Sequence, residues 1–340
     1  MCERCADPAK VHLPYGPHRF CAQHFNAFFE KRVRETISNH RLFRPGDPIL
    51  LALSGGKDSM VLLHVLHQYY SKTNSIAALL IDEGIEGYRA RSIEQAVAYC
   101  DQLGVSHTVV SHANEFGFTN DQYASLVLGK RIAGKSVCAY CGTFRNTLMN
   151  RYAKKQGAAA LATGHNLDDE AQNVLLNVLD NHFEKMQNHS ARSDSLSSEF
   201  TVPRIKPLYE TPEKDIIAYA NLNSIPHYSD ECCPYSYAAK RNDARFLLNN
   251  LEQKYPGTKH SVMGFLQEMK KEAKTRPPRI GQKRIVSHCA NCQEPANAKY
   301  CQACTKQQVI QTALAKKSPI AQTLPVVSKD ALTCYETKRM

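Results

Sequence analysis

The sequence predicts an α/β fold: a parallel sheet covered by helices on both faces, with a small metal-stapled lobe at each end. Three observations carry this. Short apolar runs alternate with amphipathic helical stretches through the middle of the chain. A glycine turn joins the first apolar run directly to the first of those helices. Sets of four soft ligands stand near both ends.

The N-terminal set is Cys2-x-x-Cys5, fifteen residues, then Cys21-x-x-His24. The C-terminal set is Cys289-x-x-Cys292, eight residues, then Cys301-x-x-Cys304. Each supplies the four donors of a closed tetrahedral site, so each is expected to hold one structural Zn²⁺ and staple a lobe too short for a core of its own. Between them, "PILLALS" (48–54), "SIAALLI" (75–81), "VSHTVV" (105–110) and "AAALA" (158–162) read as buried strands. "MVLLHVL" (60–66) reads as a helix, and 88–103 as another, its stripe Ile93, Ala96, Val97 and Cys100 making Cys100 a core residue. Residues 182–200 are polar and serine-rich and read as a flexible loop with His182 and His189 solvated. "TPEKDIIAYANLNS" (211–224) predicts a helix capped by Thr211 with Pro212 at its first position. The last 35 residues carry no clear order signal.

Composition narrows the function. Hydrophobic residues are 43% and charged residues 22%, ordinary for a globular protein, and no apolar run approaches the ~20 residues of a membrane span. "MCERCADPAK" lacks a secretory apolar region, so a cytosolic protein with no membrane partner is expected, and its thirteen cysteines are expected to be reduced. The net charge of +11 points to a polyanionic partner. Residues 268–284 carry seven Lys or Arg against two Glu, with adjacent prolines that oppose a smooth helix.

"LALSGGKDSM" is the most specific stretch. Its glycines let the backbone curl so that successive amides face inward, and the helix start adds its positive end. Ser54 and Ser59 offer hydroxyls and Lys57 a charge, while Asp58 suits Mg²⁺ or water. The spacing is neither the Walker form nor the dinucleotide fingerprint. It resembles the SGGxDS loop of PP-loop ATP pyrophosphatases, which split ATP into AMP and pyrophosphate. "LATGHNLDDEAQNVLLNVL" (161–179) runs from a strand through Gly164 into a helix that Asn166 can cap, with Asp168, Asp169 and Glu170 in its first turn. Ala171, Val174, Leu175, Val178 and Leu179 form its expected buried stripe. The turn follows a strand's carboxyl end, where open α/β sheets place ligands, so one aspartate is expected in the active site.

Cys138-x-x-Cys141 has no second pair at ribbon distance. The doublet Cys232-Cys233 supplies a third thiolate. Three thiolates suit an iron–sulfur cluster with one iron left open; a catalytic disulfide with a persulfide, or zinc with His227 as fourth ligand, are the competing readings.

With these motifs in order, the chain resembles the tRNA 2-thiolation family of cytosolic wobble-uridine thiolases and 2-thioribothymidine synthetases, over about residues 1–305. "FCAQHFNAFFEKRV", "LALSGGKDS", "CAYCGTFRN", "ATGHNLDDEAQN" and "ECCPYS" carry the likeness. The resemblance implies a PP-loop (adenine nucleotide alpha-hydrolase-like) domain over 28–265, between an N-terminal finger (1–27) and, after a basic linker (266–286), a C-terminal finger (287–308) and a tail (309–340). It implies ATP contacts from Ala52, Ser54, Gly55, Gly56, Lys57, Asp58, Ser59, Ile81 and Gly164. Cys138, Cys141 and Cys233 would hold a [4Fe–4S] cluster, Asp169 or Asp168 would be the catalytic acid, and Arg145 would reach the phosphates. Partners implied are tRNA and a sulfur donor, either a ubiquitin-like thiocarboxylate protein or sulfide, with a homodimer kept open. The expected reaction is adenylation of a uridine C2 oxygen and its replacement by sulfur. A 2-thiocytidine-type enzyme and a non-catalytic RNA-binding protein are the alternatives.

Overall fold

The computed structural model describes residues 1–132, 136–193, 201–228, 233–237, 239–275 and 287–316. The chain opens with an antiparallel hairpin, β1 (Val11–Leu13) and β2 (His18–Phe20), which feeds α1 (Ala22–Asn39). Phe20, Phe25, Phe29 and Val33 from this stretch are fully buried and join the main core.

A six-stranded sheet follows, containing β3 (Ile49–Ala52), β4 (Ile76–Asp82), β5 (Ser106–Ser111), β6 (Ala160–Thr163), β7 (Arg192–Ser193) and β8 (Arg204–Ile205). Its order is β5-β4-β3-β6-β8-β7, parallel except for β7 against β8. Strands β3 to β5 wind one way, and the chain then crosses back to lay β6 on the other side of β3. That reversal is a topological switch point, where a crevice opens beyond the carboxyl ends of the strands. The registers Ala52↔Leu79 and Ala52↔Thr163 bring the loops after β3 and β6 side by side there.

The helices on this sheet are α2 (Lys57–Tyr70), α3 (Ala90–Leu103), α4 (His112–Phe116), α5 (Asn120–Leu128), α6 (Val137–Lys155), α7 (Leu167–Leu179), α8 (Phe183–Gln187) and α9 (Glu213–Leu222). Then come α10 (Lys240–Lys254), α11 (Thr258–Thr275), the short pair β9 (Ser287–His288) and β10 (Pro295–Ala296), and α12 (Gln302–Ala315). The four expected strands and the two helices expected at 60–66 and 88–103 all form, and Cys100 is fully buried in the core.

Five expectations need correction. The 182–200 stretch contains α8 and β7, and His189 is buried against the wholly buried Glu170, 2.6 Å away; residues 194–200 lie outside the described residues. Pro212, not Thr211, occupies the cap of α9, and the cap hydrogen bond comes from Asp168, whose Oδ2 accepts the Glu213 N–H at 2.8 Å. On α7 only Ala171 and Val174 of the five stripe residues are buried; Val178 and Leu179 are exposed, and Val178 lines a groove walled by Tyr255 and Phe265 where cover was expected. The basic stretch begins inside α11, which ends before the adjacent prolines; residues 276–286 lie outside the described residues. The start of the presumed tail is helical, since α12 runs to Ala315 and anchors itself with the fully buried Ile310.

Candidate functional site

The loop after β3 is held from within. Ser59 Oγ accepts the Ser54 N–H at 3.1 Å and donates to the Gly56 carbonyl at 3.0 Å, while Ser54 Oγ accepts the Gly56 N–H at 3.3 Å. Gly55 has φ +79°, and a Cβ there would meet the Ser92 carbonyl oxygen at 2.3 Å, so only glycine fits. The turn after β6 presses on this loop: a Cβ on Gly164 would lie 2.9 Å from the Ser59 nitrogen. Ala52 ends β3 and Ile81 lies at the carboxyl end of β4, so every residue expected to touch a nucleotide lies around this one crevice.

Three carboxylates converge on the loop. Asn166 caps α7 in a capping box with Asp169, and its Nδ2 also donates to Asp58 Oδ1 at 3.0 Å. Lys57 pairs with both Asp58 and Glu213. Burial raises the Asp58 carboxyl, Lys57 opposes this, and Glu213 and Asp169 raise it further; burial likewise raises Asp169 against Arg241, whose Nη1 is 3.5 Å away. Such mutually repelling acids suit a divalent cation or a proton. Asp168 is differently employed: it is buried, bound to Lys259 and capping α9, which leaves Asp169 as the aspartate open to the crevice.

The structure brings Cys138, Cys141 and Cys233 together. The first two lie on α6, capped by Ser136, and Cys138 Sγ donates to the Tyr235 carbonyl at 3.5 Å. The turn after Cys233 is closed by Ser236, and the Tyr235 hydroxyl anchors it to Asp121 at 2.7 Å. Burial pushes all three thiols up, Cys141 to about 12 and Cys233 to about 11; the charge of Glu83 adds to both of these, as do Cys233 on Cys141 and Cys138 on Cys233. Burial of this kind disfavours the thiolate, and a bound metal cation would offset it. The trio does not close to within 4.8 Å as the two terminal sets do, whereas a zinc tetrahedron with ~2.3 Å bonds needs edges near ~3.8 Å. His227 turns to the Ile225 carbonyl at 2.9 Å. The soft donors of the trio suit a cluster, and the buried Tyr123 hydroxyl, which faces the Cys141 sulfur without a partner of ordinary geometry, is a waiting donor for a ligated thiolate. Cys232 lies outside the described residues.

The terminal sets do close. Cys5 and Cys21 sulfurs are 3.7 Å apart, His24 Nδ1 is 3.2 Å from Cys21, and Cys292 and Cys301 are 3.6 Å apart. Those are tetrahedron edges, so both sets could hold a metal ion.

Sequence reasoning missed the residues joining the phosphate loop to the thiols. Glu83, one residue beyond β4, is buried and takes Arg89 through both oxygens, while Arg89 Nη1 donates to the Ser54 carbonyl at 2.9 Å. Arg145 Nε lies 3.3 Å from Glu83. Burial would raise the Glu83 carboxyl, but the two arginines outweigh it and hold it below the ordinary range. Its position at a strand's carboxyl end was the available signal.

Comparison with known proteins agrees with this geometry. The PP-loop domain family matches residues 25–251. The chain is 37% identical over 320 residues to the tRNA 2-thiolation protein NcsA of Haloferax volcanii, covering 89% of this chain and 97% of that one. It is 34% identical over 304 residues to the tRNA-5-methyluridine(54) 2-sulfurtransferase of Pyrococcus horikoshii, covering 89% and 92%. Among solved structures, the U34-tRNA thiolase NcsA of Methanococcus maripaludis with its [4Fe–4S] cluster superposes with a TM-score of 0.73 at 26% identity, covering 90% of this chain and 95% of that one. The chain belongs to the tRNA 2-thiolation family of PP-loop proteins.

Proposed function

We propose that this chain is a cytoplasmic, ATP-dependent tRNA sulfurtransferase that activates the C2 oxygen of a uridine and exchanges it for sulfur. One observation supports this most directly: Arg89 donates to the phosphate loop at Ser54 and grips Glu83, whose charge reaches Cys141 and Cys233 of the thiol trio. Relatives named for tRNA 2-thiolation and for uridine 2-sulfurtransfer agree with it.

Uracil O2 is a poor leaving group, so the difficult step is activation. The loop of residues 54–59, with Lys57, would hold the triphosphate, and Mg²⁺ is expected at Asp58 and Glu213. O2 attacks the α-phosphorus as the N3 proton departs, the α–β bond breaks and pyrophosphate leaves. Asp169, whose carboxyl burial raises, would take that proton. Sulfur then bonds to C2, the C2–O bond breaks and AMP leaves. Bound by Cys138, Cys141 and Cys233, a [4Fe–4S] cluster would supply an iron free of protein ligands for exogenous sulfide. The terminal sets would hold two Zn²⁺, and the basic start of the 268–284 stretch would meet tRNA phosphates. The sulfur comes from sulfide or a thiocarboxylate carrier.

Anaerobic protein with tRNA, ATP and sulfide should yield 2-thiouridine on nucleoside mass spectrometry, with one AMP per sulfur. Thiocytidine instead would redirect the substrate, and RNA binding with no AMP release would reduce the chain to a binding module.

A further inference from the structure

The triad Arg89–Glu83–Arg145 is unequal. Arg89 is 7% exposed, grips both oxygens of Glu83 and also donates to the Ser54 carbonyl, so it is fixed by three bonds. The Arg145 side chain is 42% exposed, lies on α6 four residues after Cys141, and approaches Glu83 with Nε at 3.3 Å. Its charge is felt by His165, beside Gly164, and by Cys141. Removing Arg145 leaves Glu83 still compensated by a two-pronged partner, so departure costs little; removing Arg89 would strand a buried charge.

We propose that Glu83 is a positioning residue: the resting anchor of Arg145, from which nucleotide phosphates draw the guanidinium, while Arg89 stays as the fixed half. The anchor keeps a mobile cation parked between the phosphate loop and the thiols and levies a small cost on nucleotide binding. This rests on the proposed ATP site and on Arg145 reaching the phosphates.

The test is ATP binding by calorimetry on the full chain prepared without iron. Glu83→Gln keeps an oxygen for Arg89 but loosens Arg145, so it should tighten ATP binding about two- to fivefold, the scale of a half-exposed ion pair. A merely structural Glu83 would give weaker binding when replaced. The gain should vanish in Glu83→Gln/Arg145→Ala, which isolates the pair. Unchanged or weaker binding in Glu83→Gln overturns the anchor. If Arg145→Ala alone leaves ATP affinity intact, Arg145 does not reach the phosphates, and if no variant binds ATP the functional reading itself fails. A readout independent of the Glu83 variant is the guanidinium Nε resonance of each arginine in the unsubstituted protein: ATP should move that of Arg145 and leave that of Arg89, and a stationary Arg145 overturns the proposal.

Discussion

Gly164→Ala isolates the packing of the two loops that form the crevice. The added carbon would sit 2.9 Å from the Ser59 nitrogen and 3.1 Å from the Asp58 carbonyl carbon and the Ser59 Cα, where ordinary contact begins at 3.4 Å. All three atoms are backbone, so no side-chain rotation relieves the overlap and the loop must retreat by roughly 0.5 Å. Gly164 has no left-handed φ, so the cost is overpacking alone, about 1–3 kcal/mol. Because a ~1 Å misplacement costs about 10²-fold in rate, a shift of half that size should slow thiolation about tenfold. ATP binding should weaken at least about fivefold, the equivalent of ~1 kcal/mol. Calorimetry for ATP and single-turnover thiolation read the two effects separately. Gly264→Ala, a helical glycine with nothing within 4 Å of the added carbon, is the control and should be harmless. Unaltered affinity and rate in Gly164→Ala would refute the idea that the strand end abuts the phosphate loop.

Cys233→Ala should abolish the ~400 nm absorbance of anaerobically prepared protein while Cys232→Ala retains it; the reverse pattern would exchange the two as cluster ligand. His112 is wholly buried and burial pushes it from 6.5 down to about 4, so the unfolded chain binds a proton there that the folded chain refuses. Stability is therefore undiminished above pH 6.5 and falls by about 3 kcal/mol toward pH 4, at 1.36 kcal/mol per unit; His112→Phe should flatten that part of the urea-midpoint profile, and an unchanged slope would acquit His112. Cys301→Ser, in the C-terminal lobe, should cost iron retention before ATP affinity, and Cys5→Ser, in the N-terminal lobe, ATP affinity first; the opposite ranking in iron analysis and calorimetry would rule out a divided bracing role.

The nucleotide half was legible because its signals are local. A strand, a glycine turn and a helix in succession declare a phosphate loop, and Asn166 sits where a cap must be, three residues before the carboxylate that completes the box. Four ligands at short spacings likewise declare their own site. What stayed hidden depends on pairs distant in sequence. Asp168 looked like a catalytic candidate equal to Asp169, yet it is committed to Lys259, 91 residues away, and to the start of α9. Thr211 looked like a cap until that same carboxylate displaced it. His189 looked solvated because nothing in a serine-rich stretch announces a buried glutamate waiting behind it. Glu83 and Arg89 were silent for the same reason, since a buried ion pair has no period.

The two terminal lobes make sense as braces for the two halves of the crevice. In the N-terminal lobe, Tyr15 donates to Asp215, and Arg32, stacked 4.5 Å over Phe28, donates to the same carboxylate at 2.7 Å. Asp215 lies on α9, two residues from the Glu213 that holds Lys57 in the phosphate loop. In the C-terminal lobe, Lys306 donates to the Ala139 carbonyl at 2.7 Å and to Thr143 at 2.6 Å, and Glu294 accepts from Asn150 at 2.7 Å. All three partners are on α6, so the lobe holds the helix that presents Cys138 and Cys141. Cys289, Cys301 and Cys304 are buried in the same apolar cluster as Tyr140 and Phe144 of that helix. A helix start bearing two thiols that resist ionisation is a poor element to leave unsupported, because its sulfurs must wait in position before any metal arrives to hold them. A separately stapled lobe supplies that support without drawing on the sheet, and so the same sheet can serve the nucleotide at one set of strand ends while the sulfur chemistry is held beside it.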